Sequence, residues 1–180
     1  MKKILIATSF AVSGLLAGCS AQIAPLPTQS KVDLANYVGI WHEQALLPNR
    51  FQKECVSDVE AEYTLLSSET LEVRNQCVSA DGAQRVAHGV GRINSSISPL
   101  NSAILEVRFA PDFLSWLPMV WGDYWIIKTV GDYQYSLVGS PDREYLWVLS
   151  RDKKADPSVV KELIEYAGTM GFDITKVEVH

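Results

Sequence analysis

The sequence lacks most of the patterns that are typical of enzymes and of nucleic-acid-binding proteins. It contains no Gly-x-Ser-x-Gly elbow and no phosphate-binding glycine loop, and its three histidines, His42, His88 and His180, are scattered singly rather than placed at metal-ligand spacing. A basic block is also missing, and the formal net charge of −5 disfavours nucleic acid as a partner. These absences predict a protein that is not an enzyme and that holds no metal and no cofactor.

The sequence also has no apolar run long enough to span a membrane. The uncharged stretch after the two N-terminal lysines extends from Ile4 to Leu16, thirteen residues, whereas a membrane-spanning helix needs about 20. A short apolar stretch ended by small residues is typical of a secretory signal. It closes with Leu-Ala-Gly-Cys, which resembles the lipobox of bacterial lipoproteins. The resemblance implies that residues 1–18 are removed and that Cys19 carries N-acyl and S-diacylglycerol groups as a membrane anchor.

The residues after the anchor cysteine indicate a location and a linker. Ser20 stands where an aspartate would favour the inner membrane, so the same resemblance implies an outer-membrane anchor with the protein facing the periplasm. An ordinary signal peptide with a chance cysteine is the alternative. Residues 19–32 contain two prolines and little periodicity, which predicts a flexible tether. Because no second linker follows, we expect residues 33–180 to form one domain.

Cysteine is scarce, with three residues in the whole chain. If Cys19 is acylated, Cys55 and Cys77 remain as an even pair in an oxidising compartment. Cys55 lies just before one strand-like run and Cys77 at the end of the next, so a hairpin of these runs would bring the two cysteines together at its open ends. We therefore predict a disulfide, which would close a loop of about 20 residues and contribute roughly 3 kcal/mol of stability.

From residue 40 onward the apolar residues recur with a period of two, which is typical of antiparallel strands with one wet face. The period changes once, where Asp156 and Pro157 can start a helix with one apolar face, and a short closing strand is expected at 174–179. Eight strands joined by turns predict an all-β fold, an up-and-down antiparallel β-barrel with the helix packed outside. The eight runs lie at about 40–46, 58–66, 70–78, 84–93, 103–109, 121–130, 133–140 and 144–151.

Three short motifs in register carry a family resemblance: Gly39-Ile40-Trp41, then Asp132-Tyr133, then the run Tyr-Leu-Trp-Val-Leu-Ser-Arg that ends at Arg151. They resemble the G-x-W motif, the strand-turn-strand motif and the arginine motif of lipocalins, and over about residues 33–179 the chain is similar to a bacterial outer-membrane lipoprotein of that family. The resemblance implies that Trp41 seals the closed end of the barrel, that Gly39 lets the chain turn into it, and that Arg151 crosses the indole ring. The matching positions are Gly39 and Trp41, Asp132 and Tyr133, and Arg151.

A barrel sealed at one end leaves the other end open to a ligand. The connection from Ala110 to Trp121 is unusually apolar, and we expect Phe113, Trp116 and Trp121 to form a lip there that touches ligand, membrane or a second subunit. A loop folded back over the barrel is the competing interpretation of this connection. For the barrel interior there are also two interpretations, a ligand cavity or a core filled by side chains. The inward strand parity predicts a cavity suited to an acyl chain, lined by Val59, Ala61, Tyr63, Leu71, Val73, Leu105, Val107 and Trp147.

Two functions from different classes follow from these patterns. The first is a membrane-anchored lipocalin that binds a fatty acid or a lysophospholipid for lipid storage, transport or envelope maintenance. The second is a structural or assembly lipoprotein with a filled barrel that docks a protein partner through its apolar loop. Both leave open the physiological ligand and whether the chain forms a homodimer.

Overall fold

The computed structural model describes residues 24–98 and 100–180, so the signal segment and Cys19 lie outside the described residues. All eight predicted runs are strands: β1 (Gly39–Leu46), β2 (Cys55–Leu65), β3 (Thr70–Ser79), β4 (Gln84–Ile93), β5 (Ile104–Arg108), β6 (Gly122–Val130), β7 (Tyr135–Gly139) and β8 (Leu146–Ser150). The other regular elements of the described residues are a short strand β9 (Glu178–Val179), the helices α1 (Leu34–Tyr37) and α2 (Pro157–Thr169), and 3-10 turns at Asp112–Leu114, Pro118–Val120 and Ile174–Lys176.

The first eight strands close into a barrel. Each strand from β2 to β7 pairs antiparallel with the next one in the chain, and β1 closes the ring by pairing with both β2 and β8. The predicted eight-stranded up-and-down barrel is therefore confirmed. Because neighbouring strands alternate in direction, the start of β1 lies at one end, the closed end, with the connections 66–69, 94–103 and 131–134. The opposite end, the mouth, has the connections 47–54, 80–83, 109–121 and 140–145.

The seam between β1 and β2 is short. Their pairing covers only the first four residues of β1, from Gly39 to His42. Nearer the mouth, β1 bulges and β2 shifts register twice. Strand β9 takes the vacated edge of β1, where Val179 lies opposite Ala45. The predicted closing strand at 174–179 is thus shortened to two residues, because a 3-10 turn takes up its first half.

Apolar side chains pack in two layers, one inside the barrel and one between the barrel wall and α2. Neighbouring residues of β7 alternate between the layers: Val138 points inward and Leu137 outward, and both are fully buried. Because this wall is buried on both faces, β8 is apolar at four successive positions, Leu146 to Leu149. The inner layer includes Trp41, Tyr63, Leu71, Val73, Leu105 and Ile126, and the outer layer includes Ala45, Ile127, Leu146, Val148 and Phe172.

Helix α2 begins where the sequence predicts it. The Asp156 carboxylate accepts the backbone N–H of Ser158 at 2.8 Å, and Pro157 occupies the first helical turn. Beyond the helix, Gly171 has a φ of 93°, a left-handed conformation that favours glycine and ends the helical path. The packing of the helix on the outside of the barrel is confirmed, with Val160, Leu163 and Ala167 buried against the wall.

Helix α1 is not predicted by the sequence, because four residues are too few to show a period. Asp33 caps the helix by accepting the backbone N–H of Ala35 at 2.9 Å, and Leu34 and Tyr37 are buried. The ring of Tyr37 lies 4.9 Å from that of Trp41 between their centres. The helix therefore helps to cover the closed end of the barrel.

Residues 24–32, the described part of the predicted flexible tether, lie packed along the barrel wall. Leu26 is 5% exposed in the outer layer, and Val32 is buried in the inner layer. The backbone N–H of Gln29 donates to the carbonyl of Ile126 at 3.0 Å. This stretch is not a free linker, because Leu26 and Val32 are buried against the barrel. The local sequence does not predict these contacts, since it has no apolar periodicity. Among the described residues, no helix is long and apolar enough to cross a membrane.

Candidate ligand-binding site

An indole ring seals the closed end. Trp41 is 0% exposed, and its Nε1 donates to the carbonyl of Tyr37 at 2.8 Å. The guanidinium carbon of Arg151 lies 3.8 Å from the centre of the Trp41 ring. This cation–π contact, which the family resemblance implies, is worth roughly 0.5–2 kcal/mol.

Arg151 also ties together the backbone of the closed end. Gly39 has a φ of 97°, and a Cβ there would lie 3.3 Å from Nη1 of Arg151, so the turn into β1 favours glycine. Asp132 is exposed in the turn between β6 and β7, and the next residue, Tyr133, offers its carbonyl to Arg151. The guanidinium donates to four carbonyl oxygens at 2.9–3.2 Å, those of Asn36, Tyr37, Ile40 and Tyr133.

A chain of buried hydroxyl groups lies beside this seal. The Tyr124 hydroxyl is 2.9 Å from that of Tyr63 and 3.1 Å from that of Tyr37, which is 2.9 Å from the Ser136 hydroxyl. Burial raises the pKa of Tyr37 to about 12 and also raises the pKa values of Tyr63 and Tyr124, so all three stay neutral near pH 7. Tyr124 is not among the site residues predicted from the sequence, although its alternation with Ile126 on β6 places it inside.

Seven of the eight residues predicted to line a cavity lie inside the barrel, and the eighth, Val59, borders both the mouth and the outside of the barrel. Val107 faces inward beside Gly91, where a Cβ would lie 3.5 Å from it and 3.6 Å from Val73. Val59 is half-buried nearer the mouth. The other six, Ala61, Tyr63, Leu71, Val73, Leu105 and Trp147, pack in or against the inner layer. The closed half of the interior is therefore filled by side chains, and contact of these residues with a ligand stays a prediction.

A cavity of about 440 Å³ lies at the mouth, and we call it the mouth cavity. It is bounded by β1, β2, β9 and the connection 47–54. Its volume lies within the range of roughly 300–1,000 Å³ that is typical of small-molecule sites. The lining residues include Glu43, Leu46, Pro48, Gln52, Cys55, Val59, Glu178 and His180.

Polar side chains form a linked cluster at the mouth cavity. The side-chain amide of Gln52 donates to one carboxylate oxygen of Glu43 at 2.6 Å and accepts the indole N–H of Trp147 at 2.9 Å. Nε2 of His180 lies 2.9 Å from the other carboxylate oxygen. The hydrogen bond to Glu43 raises the pKa of His180, although burial opposes the shift. Glu43 is not among the site residues predicted from the sequence, although the alternation of β1 places it on the same face as Trp41.

One inward polar atom has no hydrogen-bond partner in the part of the chain that the structure describes. Asn75 lies opposite Ala61 on β2 and Ala87 on β4, and its Oδ1 is buried without a hydrogen-bond partner among the described residues. A buried oxygen left unpaired costs about 1–3 kcal/mol. Asn75 is therefore placed to accept a hydrogen bond from a ligand or from water.

The predicted disulfide is confirmed. Cys55 and Cys77 are bonded, with their Cα atoms 5.6 Å apart. The bond joins the mouth ends of β2 and β3 where β2 shifts register, and Cys55 also lines the mouth cavity. The disulfide thus holds the part of β2 that leaves β1 against β3.

A larger groove of about 750 Å³, the outer groove, lies outside the barrel between α2 and the β1–β2 seam. It shares Glu43, Val59 and His180 with the mouth cavity. The strand pattern did not predict it, because the groove depends on the departure of β2 from β1 near the mouth. Its lining also includes Val56, Lys153, Lys154, Val160, Lys161 and Ile164.

The mouth loop, residues 110–121, folds against the outer wall of the barrel. The Trp121 ring lies 3.8 Å from the guanidinium carbon of Arg92, and its Nε1 donates to the carbonyl of Ser115 at 2.9 Å. The structure therefore places Trp121 on the wall rather than at the lip. The other two residues of the predicted lip are exposed, Phe113 at 74% and Trp116 at 75%, and Met119 in the same loop is 84% exposed.

Known proteins share both the sequence pattern and the fold. Residues 32–180 match the Lipocalin-like domain. The chain is 37% identical to temperature-induced lipocalin-1 of Arabidopsis thaliana over 147 residues, which cover 81% of this chain and 77% of that protein. It is 27% identical to outer membrane lipoprotein Blc of Escherichia coli (strain K12) over 179 residues, which cover 98% and 95%. Insecticyanin from the tobacco hornworm Manduca sexta superposes with a TM-score of 0.64 at 21% identity, covering 87% of this chain and 83% of that one, a likeness of fold alone.

Proposed function

The chain belongs to the lipocalin family, and from this premise we propose that it is a membrane-anchored lipoprotein that binds a fatty acid or a lysophospholipid in the mouth cavity. Its role would be to store or carry such lipids, or to maintain the cell envelope. The observation that carries the proposal is the mouth cavity of about 440 Å³, which lies at the end of the barrel opposite the packed closed end.

The lining of the mouth cavity suits a ligand with an apolar chain and a polar group. Leu46 and Val59 supply apolar surface, while the Glu43–His180 pair supplies hydrogen-bonding groups. Asn75 does not line this cavity, but it faces the barrel interior from β3, and its buried Oδ1 has no hydrogen-bond partner among the described residues. A lysophospholipid offers a hydroxyl group that can donate to this oxygen, whereas the ionised carboxylate of a fatty acid only accepts hydrogen bonds. This difference favours the lysophospholipid of the two.

The membrane anchor of the proposal rests on the sequence and on one relative. Cys19 lies at the end of a lipobox-like segment outside the described residues. The Escherichia coli relative, similar over 98% of this chain, is named an outer membrane lipoprotein. Both support an acylated Cys19 in the outer membrane, and the proposal places the barrel on the periplasmic side of it.

Displacement of a fluorescent fatty-acid probe tests the proposed binding. We expect saturable displacement by a long-chain fatty acid and by a lysophospholipid of the same chain length. Val59→Trp would fill the mouth cavity and weaken binding by about tenfold, which is roughly 1.4 kcal/mol.

Val56→Trp is the matched control, because Val56 lines the outer groove without lining the mouth cavity. We expect this variant to bind like the wild type. Equal losses in both variants would place the ligand in the outer groove, and no saturable displacement in the wild type would contradict the proposal.

A structural lipoprotein that docks a protein partner is the second candidate function. The filled closed half of the barrel and the exposed Phe113 and Trp116 favour it. It differs from the first in two measurements. A stoichiometric protein partner would co-purify with the wild type but not with Trp116→Ser, and no lipid would displace the probe.

A further inference from the structure

We propose that the mouth of the barrel faces the bilayer that holds the acylated Cys19, and that the mouth loop enters the boundary between lipid headgroups and acyl chains. Phe113, Trp116 and Met119 are the side chains that would partition there. The inference rests on the proposed lipid anchor and adds an orientation and a lipid-contacting surface to it.

The path of the N-terminal segment sets the position of the anchor. Nη2 of Arg143, in the mouth connection 140–145, donates to the carbonyl of Ala24 at 2.7 Å. From there the chain runs toward the closed end, where the hydroxyl of Ser102 donates to the carbonyl of Val32 at 2.6 Å. Leu26 is buried between these two points. The first described residue therefore lies at the mouth end of the barrel.

The remaining chain is too short to bring the anchor to the other end. Cys19 precedes Ala24 by five residues, and five residues span at most about 18 Å when fully extended. The ten-residue strands β3 and β4 are each about 33 Å long, which at a tilt near 40° gives a barrel height of about 25 Å. An acylated Cys19 would thus hold the mouth nearer to the membrane than the closed end.

The exposed aromatic residues are found at the same end. Among the described residues, the exposed phenylalanine and tryptophan side chains are those of Phe51, Phe109, Phe113 and Trp116, all at the mouth. The large apolar side chains exposed at the closed end, such as Leu66 and Leu100, are aliphatic. Tryptophan and phenylalanine favour the membrane interface, because their rings suit a layer that is partly apolar and partly wet.

The charge of the mouth loop also suits a bilayer. Asp112 is the single charged residue among residues 110–121, and its carboxylate pairs with the guanidinium of Arg108 at 2.6 Å. Trp121 packs on the outer wall against Arg92, and Trp116 is exposed and does not line the mouth cavity. Approach to a membrane would therefore bury apolar surface without stripping water from an unpaired charge.

Fluorescence quenching by brominated lipids tests the orientation. The acylated full-length protein is reconstituted in vesicles of phosphatidylethanolamine and phosphatidylglycerol that carry bromine near the headgroups. We expect strong quenching in the wild type and a loss of about twofold or more in Trp116→Phe, since the other four tryptophans are buried or half-buried.

Moving the reporter tryptophan gives the matched control. Leu100, which is 93% exposed at the closed end, is changed to Trp in the Trp116→Phe background, and we expect no added quenching. Stronger quenching from position 100 than from position 116, or none from either, would overturn the proposal.

Flotation of the same vesicles separates this proposal from the one it rests on. A protein that does not float with the vesicles would overturn both the anchor and the orientation. Flotation with Trp116 unquenched would overturn the orientation alone, with lipid displacement unaffected. A co-purified protein could instead protect Trp116 from fluorescence quenching by acrylamide in the absence of vesicles. That result would assign the mouth loop to a protein partner and would also overturn the proposal.

Discussion

The two ends of the barrel differ in whether their polar groups are paired and whether their aromatic side chains are covered. At the closed end, Arg151 donates to four carbonyl oxygens and the buried tyrosine hydroxyls pair with one another. At the mouth, Phe113 and Trp116 are exposed, and in the wall Asn75 keeps a buried oxygen without a partner among the described residues. Exposed aromatic residues and a buried polar atom without a partner are the features from which we propose that the mouth half binds another molecule. The closed end thus maintains the fold, and the mouth is available for binding.

The largest expected contrast between the two ends concerns their tryptophans. Trp41→Ala would leave a cavity in the closed end and lower the free energy of unfolding by about 3–5 kcal/mol. Trp116→Ala, at the mouth, would change it by less than about 0.5 kcal/mol. Urea unfolding monitored by circular dichroism measures both, and similar losses in the two variants would contradict the comparison.

The arginine at the closed end gives the next effect. Arg151→Ala would remove the stacking on Trp41 and leave carbonyl oxygens unpaired, at an expected cost of about 2–3 kcal/mol. Arg151→Lys keeps the charge but lacks the planar fork that reaches several carbonyls, so we expect it to recover less than half of the loss. Thermal unfolding checks this, and full recovery in the lysine variant would show that charge alone is required.

At Asn75 the comparison predicts opposite effects on stability and binding. Asn75→Leu removes a buried oxygen without a partner, so the free energy of unfolding should stay constant or rise by up to about 1 kcal/mol. Lysophospholipid affinity should fall about tenfold, whereas fatty-acid affinity should change little. Parallel unfolding and probe-displacement measurements test both parts. A stability loss with unchanged binding would make Asn75 a structural residue.

The smallest expected effect is the pH dependence of the Glu43–His180 contact. The pKa of His180 is raised mainly by its hydrogen bond to Glu43, with Glu178 adding to the shift and burial opposing it. The stability from this contact is therefore fully present below the unfolded-state pKa of about 6.5 and is lost as pH rises through the higher folded-state pKa. Because His180 is half-exposed, we expect less than about 1 kcal/mol.

Melting temperatures between pH 5 and pH 9 measure this contribution. His180→Gln keeps a hydrogen-bond donor near Glu43 and removes the titration, so the part of the pH dependence that belongs to this contact should disappear. An identical profile in the variant would contradict the assignment.

The strands and the disulfide could be predicted because their signals are local. Alternation of apolar residues identifies all eight strands of the barrel, and Asp156 with Pro157 marks the start of α2. The cysteine pair follows once two neighbouring runs are read as a hairpin. In each case the residues that carry the signal are close together in the chain.

The features that the sequence did not predict depend on distant contacts. The Glu43–His180 hydrogen bond joins residues 137 positions apart, and Leu26 becomes buried only because the finished barrel offers it an outer surface. Val59 was predicted to line the interior, yet its exposure to the outer groove follows from the place where β2 leaves β1. No local period carries such information.

The short β1–β2 seam has a consequence for motion. Only four residues of β1 pair with β2, and beyond them the wall is completed by the two-residue strand β9. Regions with few backbone pairs open locally at a lower free energy than the whole fold. Amide hydrogens along β9 and the mouth half of β2 should therefore exchange with deuterium sooner than those of β7 and β8. The seam between β1 and β2 is where we expect the barrel to open locally.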